Sequence, residues 1–199
     1  IYMKDTSIKA ALRCIELEKE ALGAAADIVF LPEFAEAAKI LASAPRIMTC
    51  ASGTSGIAAK KFAHSLCCIE RGAMFMSPSE AVHGGLGGIK REDAMVMVSR
   101  GGKTAELLPI IDVCLKKGVK LIAVTENYDS PLAKAADVVL PLKLKDEADP
   151  LNAMATSSFI QTIGIFDALL CALIEETDYT ASMFALIHPG GAVGERLNK

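Results

Sequence analysis

Residues 94–104 read AMVMVSRGGKT. A short continuous apolar run breaks at Ser99 into a Ser- and Gly-rich loop. Beyond it, Leu107, Leu108, Ile111, Cys114 and Leu115 recur at helical spacing over residues 104–117. This is the pattern of a buried strand, a loop and an amphipathic helix. GGKT resembles the end of a nucleotide-binding P-loop, but that motif needs a glycine five residues before Gly102. Position 97 is Met97, so the loop is not an NTPase cradle. Pro109, early in the helical stretch, predicts a kink.

The same unit recurs along the chain. RIMTCA (46–51) reads as a strand, followed by SGTSG and a helical stretch over 57–69. AMFM (73–76), KLIAVT (120–125) and DVVLPL (137–142) read as further strands, with a short helix over 130–136. A long helix over 154–175 carries Phe159, Ile163, Phe166, Leu170 and Leu173 on one stripe. Residues 6–43 are Ala- and Leu-rich, with Ile8, Leu12, Ile15 and Leu22 at helical spacing; Asp5 or Thr6 is the expected cap, and Pro32 divides the stretch into two helices. Continuous apolar strands alternating with helices predict an α/β fold, a parallel sheet covered on both faces. No linker interrupts the pattern, so residues 1–199 are expected to form one domain, with N-terminal helices over 1–43 and the sheet unit over 46–199.

Composition narrows the function. The chain is 52 % hydrophobic and 23 % charged, the balance of a globular domain with a sizeable core. A net charge of −3 and the lack of a Lys/Arg run argue against a nucleic-acid surface. No apolar stretch approaches membrane-spanning length. The chain starts at Ile1 and shows no secretory signal. Cysteines at 14, 50, 67, 68, 114 and 171 form no C-x-x-C pair and are expected to be buried, reduced thiols of a cytosolic protein. The three histidines lack metal-ligand spacing, so no metal is expected.

Parallel sheets bind ligands at loops leaving the carboxyl ends of their strands. SGTSG and SRGGKT occupy matching positions after two strands. Glycines let backbone N–H groups approach an anion, hydroxyls donate to it, and the following helix N-terminus adds partial positive charge. Together the two loops point to a phosphate ligand.

From about residue 46 onward the chain resembles the sugar isomerase (SIS) domain, and more specifically the arabinose-5-phosphate isomerase family. The resemblance is carried by PSEAVHGGLGGI (78–89), VSRGGKTAEL (98–107), AVTENYDSPLAKAADVVLPL (123–142), KDEADPLNAMATSS (145–158) and FALIHPGGAVGERL (184–197). It implies a five-stranded, flavodoxin-like αβα sandwich, a cytoplasmic homotetramer and no cofactor. It also implies interconversion of D-ribulose 5-phosphate and D-arabinose 5-phosphate through a cis-enediol, on the route to the sugar acid Kdo of lipopolysaccharide and capsule. Many relatives carry C-terminal CBS modules; this sequence ends at Lys199, so the resemblance is to a form without them.

The resemblance places catalytic roles on Glu106, Glu147, His83 and His188. It places phosphate-binding roles on Ser52, Ser55, Ser99 and Thr104, with Thr54 beside them. Read from the residues alone, Glu106 is also a first-turn acid that complements a helix dipole. Glu147 is by default a solvated loop acid, His83 part of a plain turn, His188 a structural residue and His64 a helix residue without a motif. The family's C-terminal segment reaches a neighbouring subunit, so His188 is expected to complete a site shared between chains.

Two loops depart from the family pattern. The first normally reads G-x-GKSG, and Thr54 stands where the lysine belongs. The second normally reads S-x-SGE[ST]; here Gly101 replaces a serine and Lys103 an acid. The HGD stretch also reads HGG, with Gly85 for the Asp. Lys103, helped by Arg100, either supplies the missing cation or points to solvent. A rival reading is a regulatory protein that binds a sugar phosphate, or an end product such as the nucleotide sugar CMP-Kdo, with little turnover.

Overall fold

The computed structural model describes residues 2–197. In chain order the elements are α1 (Asp5–Val29), α2 (Pro32–Ser43), β1 (Ile47–Cys50), α3 (Gly53–Cys67), β2 (Ala73–Phe75), α4 (Pro78–Ala81), β3 (Ala94–Val98), α5 (Leu108–Lys117), β4 (Lys120–Thr125), α6 (Pro131–Ala135), β5 (Val138–Pro141), α7 (Ser157–Glu176), α8 (Ala181–Ile187) and α9 (Gly191–Leu197). Short 3₁₀ turns cover Gly85–Gly88 and Ala105–Leu107. The five strands form one parallel sheet in the order β2-β1-β3-β4-β5.

Strand alternation divides the core in two. Ile47, Val96, Val98, Ile122 and Val124 face one way and pack on α1, α2, α3 and α7. Met48, Cys50, Met95, Met97, Leu121 and Ala123 face the other way, onto α5 and α6. The result is the expected three-layer sandwich. The strand order reverses between β1 and β3, and such a switch point opens a crevice at the carboxyl ends of those strands.

Several local expectations are corrected. Neither Asp5 nor Thr6 caps α1: Lys4 holds the cap position without a side-chain bond, and Asp5 lies in the first turn, where it complements the dipole. The stripe Ile8, Leu12, Ile15 and Leu22 is exposed, while Ala21, Ala25 and Ile28 face the core. α1 lies close on α7: half-exposed Leu22 reaches over Gly164, where a Cβ would stand 2.5 Å from Leu22 Cδ1. Pro109 does not kink a helix but starts one, since proline is tolerated where the N–H has no helical partner. Of the cysteines only Cys50 and Cys114 are fully buried, and burial pushes their thiols up to about 12 and about 11.

α7 corrects another expectation, because its 20 residues are long and apolar enough to cross a membrane by length and composition. It is the central helix of its layer. Phe166 stacks on Phe62 of α3 with ring centroids 4.1 Å apart. Gln161, fully buried, donates its amide to the carbonyls of Ala21 (2.8 Å) and Lys143 (3.1 Å) and accepts from the Lys143 N–H (2.7 Å). The Arg71 guanidinium donates to the carbonyls of Leu41, Ala42 and Ala44, tying the end of α2 to the segment before β2.

Candidate active site

The crevice at the switch point holds a cavity of about 270 Å³. Three segments wall it: Ala51–Gly53 with Gly56 and Lys60, Phe75 with Ser77–Ser79, and Glu106. These follow β1, β2 and β3 respectively. Ser52 stands at the cap position of α3 but makes no side-chain cap bond there, and Ser52 and Gly53, at the N-terminus of this 15-residue helix, line the cavity. Such a terminus is an anion cradle. Gly56 lets α3 approach β1 closely: a Cβ there would lie 2.8 Å from the Ala51 carbonyl oxygen.

Glu106 lies in the 3₁₀ turn Ala105–Leu107, one turn ahead of α5, because Pro109 sets the α-helix start at Leu108. It is exposed on the cavity wall. A carboxylate there can take a proton from a ligand held by Ser52 and the α3 terminus. Of the residues expected in the site, the structure brings Ser52 and Glu106 into this one cavity.

The remaining hydroxyls lie elsewhere. Ser99 is buried; its Oγ accepts from the Gly102 N–H at 3.1 Å and pairs with the Thr104 hydroxyl at 2.8 Å, so both stitch the SRGGKT loop together. Ser55 lines a narrow cleft beside Arg100 and Phe159. Thr54 and Lys103 are exposed, and neither lines the cavity.

Gly102 fixes the course of this loop. Its φ is +64°, and a Cβ would fall 2.0 Å from Ser130 Oγ, at the start of α6. Gly101 has open space around it. Gly102→Ala is therefore expected to cost at least about 1–2 kcal/mol from the left-handed backbone alone, before any clash. Gly101→Ser, by contrast, should leave the unfolding midpoint unchanged. Paired thermal melts of the two variants check this.

Glu147 is not a solvated loop acid. It is 2 % exposed. Its Oε1 accepts from Arg100 Nη1 at 2.8 Å, and its Oε2 from the Thr156 N–H (2.9 Å), the Thr156 hydroxyl (3.1 Å) and the Ser158 N–H (3.2 Å). Burial acts to raise its pKa, but the hydrogen bonds from Ser158 and Thr156 outweigh it and hold the carboxyl below its ordinary value. Arg100 also donates to Glu126 at 2.8 Å. Its guanidinium is thus held by two carboxylates, which corrects the expectation that Arg100 helps Lys103 meet an anion.

His83 is exposed in the turn after α4, whose first residues line the cavity. His188 ends α8, with its ring stacked on Phe184 at 3.8 Å and Nδ1 2.9 Å from the Phe184 carbonyl oxygen. A carbonyl only accepts, so Nδ1 is the nitrogen that donates here, and the acceptor position of the ring falls to Nε2. Gly194 is required behind it, since a Cβ there would sit 2.2 Å from the His188 carbonyl oxygen. Among the described residues His188 has no hydrogen bond or ring contact with a cavity residue. Around it Met183, Leu186 and Ile187 are exposed.

Sequence reasoning missed Lys60, Phe75, Ser77 and Ser79. Lys60 stands at Gly56 plus four, one helical turn on the same face, a spacing that marks it only once Gly56 is known to line the cavity. The serines follow β2, whose loop lacks the paired glycines that drew attention to the loops after β1 and β3. No group of three or more His, Cys, Asp or Glu among the described residues is arranged to hold a metal ion.

Residues 40–172 match the SIS domain family model. The chain is 39 % identical over 191 residues to the arabinose 5-phosphate isomerase of Pseudomonas aeruginosa, covering 96 % of this chain and 58 % of that protein. It is 35 % identical to the enzyme of that name in Salmonella typhi over 95 % of this chain, again covering 58 % of the relative. The chain thus spans little more than half the length of these curated relatives. Two solved structures are covered over their whole length. A Listeria monocytogenes protein provisionally described as a sugar-phosphate isomerase has a TM-score of 0.89 at 39 % identity over 95 % of this chain. An Escherichia coli protein in complex with arabinose 5-phosphate has a TM-score of 0.85 at 31 % identity over 94 % of this chain. A family model spanning most of the chain, relatives of this identity and a sheet of the same build lead to one conclusion: the chain belongs to the SIS domain family.

Proposed function

We propose that this protein is an aldose–ketose isomerase that interconverts D-arabinose 5-phosphate and D-ribulose 5-phosphate. The observation that carries the reading is Glu106 on the wall of a small cavity that it shares with Ser52 and the N-terminus of α3. The similarity to arabinose 5-phosphate isomerases and to a protein complexed with that sugar phosphate supports the choice of substrate.

In the aldose-to-ketose direction Glu106 takes the proton from C2. The C–H pair becomes the C1=C2 bond, and the carbonyl pair moves to O1, which is protonated to give the cis-enediol. Loss of the O2 proton and return of a proton to C1 then give the ketose. His188, whose Nδ1 is engaged by the Phe184 carbonyl, presents Nε2 for the transfers between O1 and O2. Since it lies apart from the cavity in its own chain, we assign it to the site of a neighbouring chain. The exposed apolar residues around His188 and along α1 support association between chains, and the family resemblance makes that assembly a homotetramer. Glu147 acts on the site through Arg100 and the loop from Ser99 to Thr104, and His83 on the rim is the further candidate for proton transfer. Six free cysteines fit a reducing cytoplasm.

The test is incubation with arabinose 5-phosphate in D₂O, followed by NMR. Ribulose 5-phosphate carrying solvent deuterium at C1 is expected. Glu106→Gln and His188→Ala should each be strongly impaired alone and regain activity when mixed and reassembled, because some sites then take Glu106 from one variant chain and His188 from the other. Absence of turnover and exchange in the folded wild type would sink the reading. If the same protein binds arabinose 5-phosphate or CMP-Kdo without exchange, the altered loops mark it as a regulatory binder.

A further inference from the structure

The cavity that carries Glu106 also holds a cation that no loop motif announces. Lys60 lies on α3 one turn beyond Gly56 and lines the same wall as Gly53 and Gly56. Residues 53, 56 and 60 are spaced by three and four, so they share one helix face. Helical side chains lean toward the helix N-terminus. That lean favours a Lys60 stem directed along this face toward the cavity it lines.

Its Nζ sits 4.9 Å from the centroid of the Phe75 ring, on the opposite wall. A cation–π contact steadies an ammonium without neutralising it. Among the described residues Lys60 has no carboxylate partner, unlike its neighbours: Lys61 pairs with Asp167 and Arg100 with Glu126 and Glu147. Thr54, where the family pattern places a lysine, is exposed and off the cavity wall.

We propose that Lys60 is the cation that faces the sugar oxygen beside Glu106, serving from further along α3 in place of the lysine missing at position 54. As Glu106 takes the carbon-bound proton, the carbonyl electron pair moves onto oxygen. The Lys60 ammonium opposes that growing negative charge inside a partly enclosed site. This rests on the isomerase reading above for the identity of the oxygen.

The experiment compares wild type with Lys60→Met, which keeps the stem on Phe75 without the charge, and with Lys60→Arg. With arabinose 5-phosphate, Lys60→Met should lower kcat by about 10²–10³-fold. KM should change by less than about threefold, because the charge it opposes forms mainly in the transition state. Lys60→Arg should recover part of the loss, which a packing defect would not allow. Retention of kcat in Lys60→Met within about threefold overturns the proposal, as does a loss confined to Lys103→Met.

A binding arm separates this from failure of the isomerase reading. Arabinonate 5-phosphate carries at C1 the negative charge that the enediolate develops. If the wild type does not turn over, a Kd for that acid at least about tenfold weaker in Lys60→Met still supports Lys60 as the cation of the site. An unchanged Kd overturns it.

Discussion

Replacing Glu106 by Gln is expected to lower kcat for arabinose 5-phosphate by about 10²–10⁴-fold, the usual contribution of a positioned general base. The amide keeps the size and the hydrogen-bonding reach of the acid but cannot take a proton. Glu106 is exposed in a 3₁₀ turn and makes none of the hydrogen bonds that hold the loop, which run through Ser99, Gly102 and Thr104. The unfolding midpoint should therefore stay where it is, and KM should move little. Initial rates with thermal melts on the same preparation check the pair. A melt that shifts with the rate would mean that Glu106 supports the loop, and an unchanged rate would mean that the base lies elsewhere.

Glu147→Ala is expected to show the opposite signature. The carboxylate accepts from Arg100, Thr156 and Ser158 while almost fully buried. Its loss leaves two N–H groups at the start of α7 without an acceptor. Breaking a buried pair costs about 3–5 kcal/mol, but Arg100 is 35 % exposed at its side chain and keeps Glu126, so about 2–4 kcal/mol is expected here. For a chain of this length that lowers Tm by about 4–16 °C. The pH dependence follows in sign. A carboxyl held below its ordinary value in the fold binds its proton less readily than in the unfolded chain. The unfolded state then takes up more protons in acid, so the Glu147 contribution is fully present above the ordinary glutamate pKa and is lost as pH falls through the lowered one. Denaturant melts between pH 3 and pH 7 should show a shallower acid limb in Glu147→Gln than in wild type, and equal slopes would exclude Glu147 as its source.

The sheet was legible because its strands are buried on both faces and read as continuous apolar runs. AMVMV and KLIAVT need no alternation to declare themselves. The helices were less so. In α1 the regularly spaced Ile8, Leu12, Ile15 and Leu22 are exposed, while Ala21, Ala25 and Ile28 are buried, so helical spacing alone picked the wrong face. Ser52 and Glu106 could be placed by their loops and by the family pattern. Thr54, Ser55, Ser99 and Thr104 carry the same chemistry but lie in a cleft, at the surface or within the loop itself. A pattern of hydroxyls does not say which ones the backbone turns toward the crevice. Lys60 escaped notice because a lone lysine inside a helix reads as solvated surface, and only the fold places Phe75 across from it.

The buried Gln161 amide has a consequence for where the folding unit begins. The SIS match starts at residue 40, after α1 and most of α2. Yet Gln161, in the second turn of α7, donates to the Ala21 carbonyl on α1 and closes a second pair of bonds with Lys143 beyond β5. A chain cut at the edge of the inherited pattern would strand that donor in the core and bare the apolar flank of α7. Ancestry and packing thus draw different borders: the segment by which the family is known is shorter than the segment over which the core of α7 is closed.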